Sequence, residues 1–203
     1  MELSQLLKLG EESFDSFDLD YYPDEYDANL GMSPREAMEG VFEAAFEYAR
    51  KFSDRSKNLF FTGGTGLGKT FLSTSIAKVV AEKGFSVVYD HAAAIFTKYE
   101  RLKFGRDSAD QEALAPEVRR IENCDLLIID DLGTEMQTSF VTSALYTLLN
   151  TRLISGKKTI ISSNLSLKEL AQRYSPAIMS RLEGEFEVYN FTGRDIRRIK
   201  NGL

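Results

Sequence analysis

The sequence has few of the residues that build disulfides and zinc clusters, and it lacks long apolar runs. Its 203 residues include one cysteine, one histidine and no tryptophan. A lone Cys124 excludes an internal disulfide, and His91 by itself cannot anchor a metal cluster, so we interpret His91 as structural. No apolar run approaches the roughly 18 residues of a membrane span, and no charged and then apolar leader is recognised. These absences favour a cytoplasmic protein without a membrane partner.

Acidic side chains are concentrated near the amino terminus. The net charge is −6, yet residues 9–34 hold eight acids and neither Lys nor Arg, so the rest of the chain is slightly basic. The overall sign therefore does not exclude a nucleic-acid partner. Residues 1–32 are predicted to form an irregular arm whose aromatic side chains pack on the domain. These side chains either line an adenine pocket or cover a core edge, and they are Phe14, Phe17, Tyr21, Tyr22 and Tyr26.

The most specific signal is GGTGLGKT at residues 63–70, which fits the spacing G-x-x-x-x-G-K-[ST]. It lies between a strand-like apolar segment, 59–61, and a helical pattern that begins at Leu72. Such a loop points backbone N–H groups at phosphate oxygens, at the positive end of the following helix. Lys69 is predicted to lie between the β- and γ-phosphates of ATP, and the Thr70 hydroxyl to complete a Mg²⁺ shell. The predicted ATP-binding residues of this segment are Gly63, Gly64, Thr65, Gly66, Leu67, Gly68, Lys69, Thr70 and Phe71.

An acidic pair follows the most apolar run. Residues 126–129 read as a central parallel strand, which ends in Asp130 and Asp131. Asp130 is predicted to hold Mg²⁺ and Asp131 to orient the attacking water, with Glu135 as the alternative for the water. Asn164 follows the strand 159–162, where it either contacts the γ-phosphate or the water, or is an ordinary turn residue.

Strand-like segments near residues 59, 86, 127, 160 and 187 alternate with helical patterns. This alternation predicts an α/β fold, a five-stranded parallel sheet with helices on both faces. We divide the chain into the arm, 1–32, and a nucleotide-binding domain, 33–203. Predicted helices cover residues 33–52, 69–83, 92–103, 111–122 and 139–153, with a short one after Ser166.

The helical pair at about 91–123 interrupts the alternation and is basic near its middle. Its cationic residues are Lys98, Arg101, Lys103 and Arg106. They either form a solvated face or contact the phosphates of a nucleic-acid strand. In the second case Phe96, Tyr99 or Phe104 are the candidates for stacking on bases.

The ordered set of motifs resembles the AAA+ ATPases, in particular the DnaC/DnaI-type replicative helicase loaders and the related IstB-type transposition helpers. The motifs are SFDSFD at 13–18, GGTGLGKT at 63–70, LLIIDDLGTE at 126–135, TIISSNLS at 159–166, SRLEG at 180–184 and GRDIRR at 193–198. The resemblance implies a P-loop NTPase core without a full helical lid, and an insertion at 91–123 that faces single-stranded DNA. It also implies that Asn164 is the sensor-1 residue, that Arg181 is an arginine finger acting on a neighbouring subunit, and that Arg197 is a sensor-2-like contact.

This resemblance implies a Mg²⁺-dependent ATPase that assembles with copies of itself and loads the replicative DNA helicase onto single-stranded DNA. One alternative is an IstB-type helper that binds duplex DNA. Another is a nucleotide-dependent scaffold without hydrolysis, because Asp131 stands where a longer Glu is usual. A small-molecule kinase is disfavoured, since no acceptor pocket or basic lid is evident. Loaders usually carry an amino-terminal helicase-binding domain, so either the chain is a fragment or its partner contacts differ.

Overall fold

The computed structural model describes residues 12–202, apart from the side chains of residues 108 and 110. Residues 1–11, with which the predicted arm begins, and Leu203 lie outside the described residues. Two short 3₁₀ turns come first, Phe14–Ser16 and Leu19–Tyr21. The strands are β1 (Asn58–Thr62), β2 (Val87–His91), β3 (Leu126–Asp130), β4 (Lys158–Ser163) and β5 (Phe186–Asn190). The helices are α1 (Pro34–Lys51), α2 (Lys69–Glu82), α3 (Ala92–Phe104), α4 (Ser108–Asn123), α5 (Ser139–Ile154), α6 (Leu167–Arg173), α7 (Pro176–Glu185) and α8 (Ile196–Lys200).

The five strands form one parallel sheet in the order β2-β3-β4-β1-β5. The predicted α/β sheet is therefore confirmed. Because all strands run the same way, the loops after β1, β3 and β4 meet at one edge, where ligands bind in open α/β sheets. Among the residues described after β5 only α8 is helical, so no helical lid follows the sheet there.

Side chains of the central strands are apolar on both faces of the sheet. In β1, Leu59 and Phe61 belong to the core under α1 and α2, whereas Phe60 belongs to the core under α3, α5, α6 and α7. Strand β3 alternates in the same way and is fully buried. Strands covered on both sides lose the alternation of polar and apolar residues. This is why β1 and β3 were readable as apolar runs.

A capping box fixes the start of α1. The Ser33 hydroxyl accepts from the Glu36 N–H at 3.2 Å, and the Ser33 N–H donates to Glu36 Oε2 at 2.8 Å. Pro34 occupies the first turn, where its missing N–H costs nothing. The predicted helix start is therefore confirmed. It places the end of the arm beside the sheet.

The charged side chain of Arg152, on α5, is fully buried in the core. Its guanidinium donates to the Ile121 carbonyl at 2.8 Å, to Thr159 Oγ1 at 3.0 Å and to the Lys158 carbonyl at 2.6 Å. These bonds connect α4, α5 and the start of β4. Within residues 12–202, no helix is both long and apolar enough to cross a membrane.

Candidate active site

The loop after β1 is shaped by glycines that other residues could not replace. Gly66 and Gly68 have φ values of +75° and +94°, in the left-handed region. A Cβ on Gly66 would lie 1.8 Å from Asp195 Oδ1, and one on Gly63 would lie 2.3 Å from the Phe191 carbonyl oxygen. The loop therefore requires glycine both for its backbone and for its close neighbours. It leads directly into α2, whose amino-terminal N–H groups face the loop.

The Lys69 ammonium is folded back on this loop. Its Nζ donates to the carbonyl oxygens of Gly63 and Gly64, both at 2.7 Å, and to Asn164 Oδ1 at 2.8 Å. Burial lowers the pKa of Lys69, and the nearby Asp131 and Asp130 carboxylates oppose that shift. The structure thus brings Asn164, from the end of β4, to the lysine of the loop.

Asp130 is fully buried and is surrounded by hydroxyl donors. Thr70 Oγ1 donates to its Oδ2 at 3.0 Å, the Ser162 hydroxyl donates to Oδ1, and the Tyr89 hydroxyl donates to Oδ2. Burial, and then the Asp130 charge, raise the pKa of Tyr89, so its hydroxyl stays protonated. Thr70 and Asp130 together present hard oxygen ligands of the kind Mg²⁺ prefers, so the pair fits the predicted ion.

Sequence reasoning missed both Ser162 and Tyr89. They lie on β4 and β2, the two neighbours of β3, near the carboxyl ends of those strands. A hydroxyl at the end of each strand was a signal, but it becomes useful only once the strand order is known. Their contacts orient the carboxylate predicted to hold the metal.

Asp131 has a left-handed backbone, with φ +56°. Its N–H donates to the Ser162 hydroxyl at 3.0 Å, and its Oδ1 accepts from Asn164 Nδ2 at 3.4 Å. His91 Nδ1 lies 3.8 Å from a carboxylate oxygen of both Asp130 and Asp131, and the His91 side chain is 59% exposed. His91 therefore lies beside the two acidic residues at the end of β3. In-register pairing of β2 with β3 sets His91 beside Asp130.

Glu135, the alternative residue for orienting water, is 4% exposed and is turned into the protein. Its Oε2 accepts from the Gly133 N–H at 2.8 Å, and its Oε1 accepts from the Tyr174 hydroxyl. Arg173 Nε lies 3.5 Å from the same carboxylate. Glu135 is therefore held by its own neighbours, and it does not line the cavity beside the loop.

A cavity of about 250 Å³ lies beside the loop. Three parts of the chain besides the loop form its wall: the ends of β3 and β4, the arm, and α8. The lining residues outside the loop segment are Glu12, Ser16, Phe17, Asp18, Tyr21, Asp131, Asn164, Ile196, Arg197 and Lys200. Of the two predicted arginine contacts, Arg197 therefore reaches this cavity. The size and the mixed polar and apolar wall suit a small organic phosphate.

The aromatic side chains of the arm divide between the core edge and the cavity. Phe14 packs against two phenylalanines of α1, with centroids 5.3 and 5.8 Å away, and so covers the core edge. Phe17 and Tyr21 instead line the cavity. Tyr22 is 1% exposed, and its hydroxyl donates to the Leu67 carbonyl at 2.8 Å. Tyr26 is 72% exposed and belongs to neither group.

Arg181 lies on α7 and does not line the cavity of its own chain. Its guanidinium stacks on the Tyr146 ring, 4.4 Å from the centroid, and donates to Asn150 Oδ1 at 2.8 Å. The structure thus separates Arg181 from the other predicted catalytic residues, Lys69, Asp130, Asp131 and Asn164.

The four basic residues of the helical pair have different surroundings. Lys98 is bound by two carboxylates, Asp90 at 2.8 Å and Glu117 at 3.3 Å. Of the four predicted DNA contacts, Lys98 is thus the one whose charge is already paired with two carboxylates. Lys103, Arg101 and Arg106 are exposed.

The aromatic candidates for base stacking also divide. Phe96 is buried in the core, and Tyr99 donates its hydroxyl to Glu122 at 3.1 Å, so neither is available. Phe104 is 58% exposed and packs edge-on against Phe140. The Lys103 ammonium lies 5.6 Å from the Phe104 centroid. Of the surface predicted to contact DNA, Phe104 and the neighbouring Lys103 and Arg106 are exposed.

The parallel sheet carries the phosphate loop after β1, the acidic pair at the end of β3, and Asn164 after β4, the strand between those two. This arrangement defines a P-loop nucleotide-binding protein of the AAA+ class. The model of the family described as IstB-like ATP binding protein matches residues 47–200. The chain belongs to this family, and the sequence resemblance is confirmed.

Curated relatives are replicative helicase loaders. DnaI of Bacillus subtilis (strain 168) is 26% identical over 138 residues, which cover 66% of this chain and 42% of that protein. DnaC of Escherichia coli (strain K12) is 22% identical over 147 residues, which cover 72% of this chain and 58% of that protein. The matched part thus spans roughly half the length of these relatives.

Several solved structures have a similar fold. A DnaC helicase loader has a TM-score of 0.71 at 20% identity and covers 92% of this chain and 99% of its own. DnaI has a TM-score of 0.68 at 20% identity and covers 93% of this chain and 92% of its own. AMPPCP-bound DnaA from Aquifex aeolicus has a TM-score of 0.68 at 19% identity and covers 95% of this chain and 54% of its own. At these identities the likeness shows the fold.

Proposed function

We propose that this chain binds and hydrolyses ATP with Mg²⁺ and uses that cycle to load a replicative DNA helicase onto single-stranded DNA. The observation that carries the ATPase part is the meeting of Lys69, the Thr70–Asp130 pair, Asp131 and Asn164 beside one cavity. The loading part is supported by the names of the curated relatives, which are replicative helicase loaders.

The phosphates of ATP replace the acceptors that Lys69 now holds. Lys69 and Asn164, which contact each other now, would both face the γ-phosphate, and Asn164 also contacts Asp131. Thr70 and Asp130 would hold a Mg²⁺ ion, which would neutralise charge on the phosphates. The exchange of these acceptors at one lysine makes the loop sensitive to the nucleotide.

Asp131 is the residue that orients the attacking water and accepts its proton in this proposal. It is part of the cavity wall, whereas the carboxylate of Glu135 is occupied by Gly133 and Tyr174. The Asp131 carboxylate also lies 3.8 Å from His91 Nδ1. If Asp131 takes no part in hydrolysis, the alternative is a nucleotide-dependent scaffold that does not hydrolyse ATP.

The experiment for hydrolysis measures phosphate release and ATP binding separately. Asp131→Asn is expected to abolish release while ATP affinity stays within about twofold, because the change removes one charge and keeps the side chain's size. Equal turnover in the variant and the wild type would remove Asp131 from the mechanism. No release by the wild type, alone or with DNA, would favour the scaffold.

The exposed segment around Phe104 is the proposed contact with single-stranded DNA. Lys103 and Arg106 supply charge for phosphates, and Phe104 supplies a ring for a base. Lys103→Ala or Arg106→Ala is expected to weaken DNA binding and to reduce the salt slope by about one unit each. Lys98→Ala is the matched control, because its charge is already paired with Asp90 and Glu117.

Fluorescence anisotropy of labelled single-stranded and duplex DNA separates the leading function from the second candidate. An ATP-dependent preference for single strands supports a loader. A preference for duplex supports a transposition helper, which the IstB-like family match keeps as the second candidate. Binding to neither form would contradict direct DNA contact by this chain.

Self-assembly is the third part of the proposal. Arg181 lies outside its own cavity, so it can act on ATP only in a second copy of the chain. Arg181→Ala is expected to bind ATP normally and hydrolyse it poorly. Mixing it with Lys69→Ala protein is expected to restore part of the activity, and no recovery at any ratio would contradict a site between subunits.

A further inference from the structure

The guanidinium of Arg181 is held by its own chain before any partner arrives. Nη2 donates to the Tyr146 hydroxyl at 3.0 Å and to Asn150 Oδ1 at 2.8 Å, and Nη1 donates to the Ala177 carbonyl at 3.1 Å. The guanidinium carbon lies 4.4 Å from the Tyr146 ring centroid. A guanidinium has five N–H donors, so these contacts use three of them. The structure therefore gives this side chain one preferred direction.

The two helices behind these contacts are firmly packed. Helix α7 is anchored by the buried side chains of Ile178, Met179 and Leu182. Tyr146 and Asn150 lie one turn apart on α5, away from the buried face of that helix. The backbone positions of all three contact partners are thus fixed by the core. The remaining freedom of Arg181 is that of its own side chain, and Tyr146 and Asn150 restrict it.

Long arginine side chains lose much rotamer freedom when they bind a phosphate. A side chain that is already oriented loses less, and a group misplaced by about 1 Å can cost two orders of magnitude in rate. Stacking on Tyr146 limits the plane of the guanidinium, and the Asn150 bond limits its rotation. Within residues 12–202 the described bonds leave two N–H groups of Arg181 for a ligand.

We propose that Tyr146 and Asn150 are positioning residues, which hold Arg181 in the orientation that engages the γ-phosphate bound by a second copy of this chain. The inference rests on the proposed function, because it assigns these residues to the same site between subunits. It adds α5 to the surface that one copy presents to the next.

The first test is the rate of ATP hydrolysis by Tyr146→Ala. We expect kcat to fall about tenfold with KM changed less than about twofold, because the arginine acts mainly in the transition state. Tyr146→Phe keeps the ring and should retain most of the activity. Thr147→Ala, at the next exposed position on α5, is the control and should match the wild type. Equal kcat in Tyr146→Ala and the control would overturn the proposal.

A double variant distinguishes positioning from a general loss of structure. If Tyr146 acts through Arg181, then Tyr146→Ala combined with Arg181→Ala is no slower than Arg181→Ala alone. Independent losses that multiply would overturn the proposal. Thermal unfolding of each variant shows whether the fold is retained.

Mixing experiments test the direction of action. Tyr146→Ala protein is deficient as a donor of the arginine but keeps an intact ATP site. Mixed with Lys69→Ala it should recover activity, and mixed with Arg181→Ala it should not. Recovery with Arg181→Ala would overturn the proposal.

The controls also separate this inference from the proposed function. If Arg181→Ala hydrolyses ATP as fast as the wild type, the site between subunits fails, and the inference fails with it. If Arg181→Ala is slow while Tyr146→Ala and Asn150→Ala are both fast, the positioning role alone fails.

Discussion

Deleting one buried hydroxyl, in Tyr22→Phe, tests whether the arm supports the phosphate loop. The Tyr22 hydroxyl donates to the Leu67 carbonyl at 2.8 Å, and the residue is 1% exposed. Burial raises the pKa of Tyr22 well above its ordinary value, so the hydroxyl remains a donor at every working pH. The variant keeps the ring and leaves the Leu67 carbonyl without this partner.

The size of the effect follows from that unpaired carbonyl. Leaving a buried acceptor unsatisfied costs about 1–2 kcal/mol of unfolding free energy. For a domain of this size the expected fall in Tm is about 3–6 °C. ATP binding should weaken by about three- to tenfold, because the part of the arm that lines the cavity must then be ordered on binding.

The assay is thermal unfolding with and without ATP, combined with an ATP titration. Tyr26→Phe is the matched control, since that tyrosine belongs to the same arm and is 72% exposed. It should change neither the Tm nor the ATP affinity. If Tyr22→Phe unfolds and binds ATP like Tyr26→Phe, the arm does not support the loop, and the reasoning is refuted.

Three further predictions concern other parts of the fold. Burial raises the pKa of Asp125, but hydrogen bonds from Lys157 and Ser86 lower it more, from 3.8 to about 2. The stabilisation of the folded state is complete above about pH 4 and is lost as the pH falls through about 2. Solvent screening limits it to below about 1 kcal/mol. Acid titrations of the wild type and Asp125→Asn should differ in that pH window. Arg152→Met should cost about 3 kcal/mol in urea unfolding, because two buried acceptors and one partly buried acceptor lose their donor. Glu135→Gln should lower stability by about 1–2 kcal/mol and leave phosphate release near the wild-type rate, whereas loss of release would return Glu135 to the mechanism.

Local sequence patterns were sufficient to predict most of the sheet. Residues 126–129 are apolar on both faces because β3 lies between β2 and β4 and is covered on both sides. The phosphate loop was predicted because its glycines, Lys69 and Thr70 follow one another along the chain. Helix α7 was missed, although Pro176 in its first turn is a start signal that sequence reasoning could have used.

Contacts between distant residues were not predictable in this way. Glu135 is turned away from the cavity by Tyr174, 39 residues further along the chain. Tyr89 reaches Asp130 because β2 pairs with β3, and no local pattern reports that pairing. The role proposed for Arg181 rests on the family resemblance, and its contacts on α5 became visible in the structure alone.

The left-handed backbone of Asp131 determines which amino acids can replace it. With φ at +56°, asparagine fits this position nearly as well as aspartate, whereas alanine and glutamate pay a conformational cost. A change to alanine would thus mix the loss of a carboxylate with a distorted turn after β3. The longer glutamate would bring both extra reach and strain, so a shorter acid at this position is the choice that the turn itself favours.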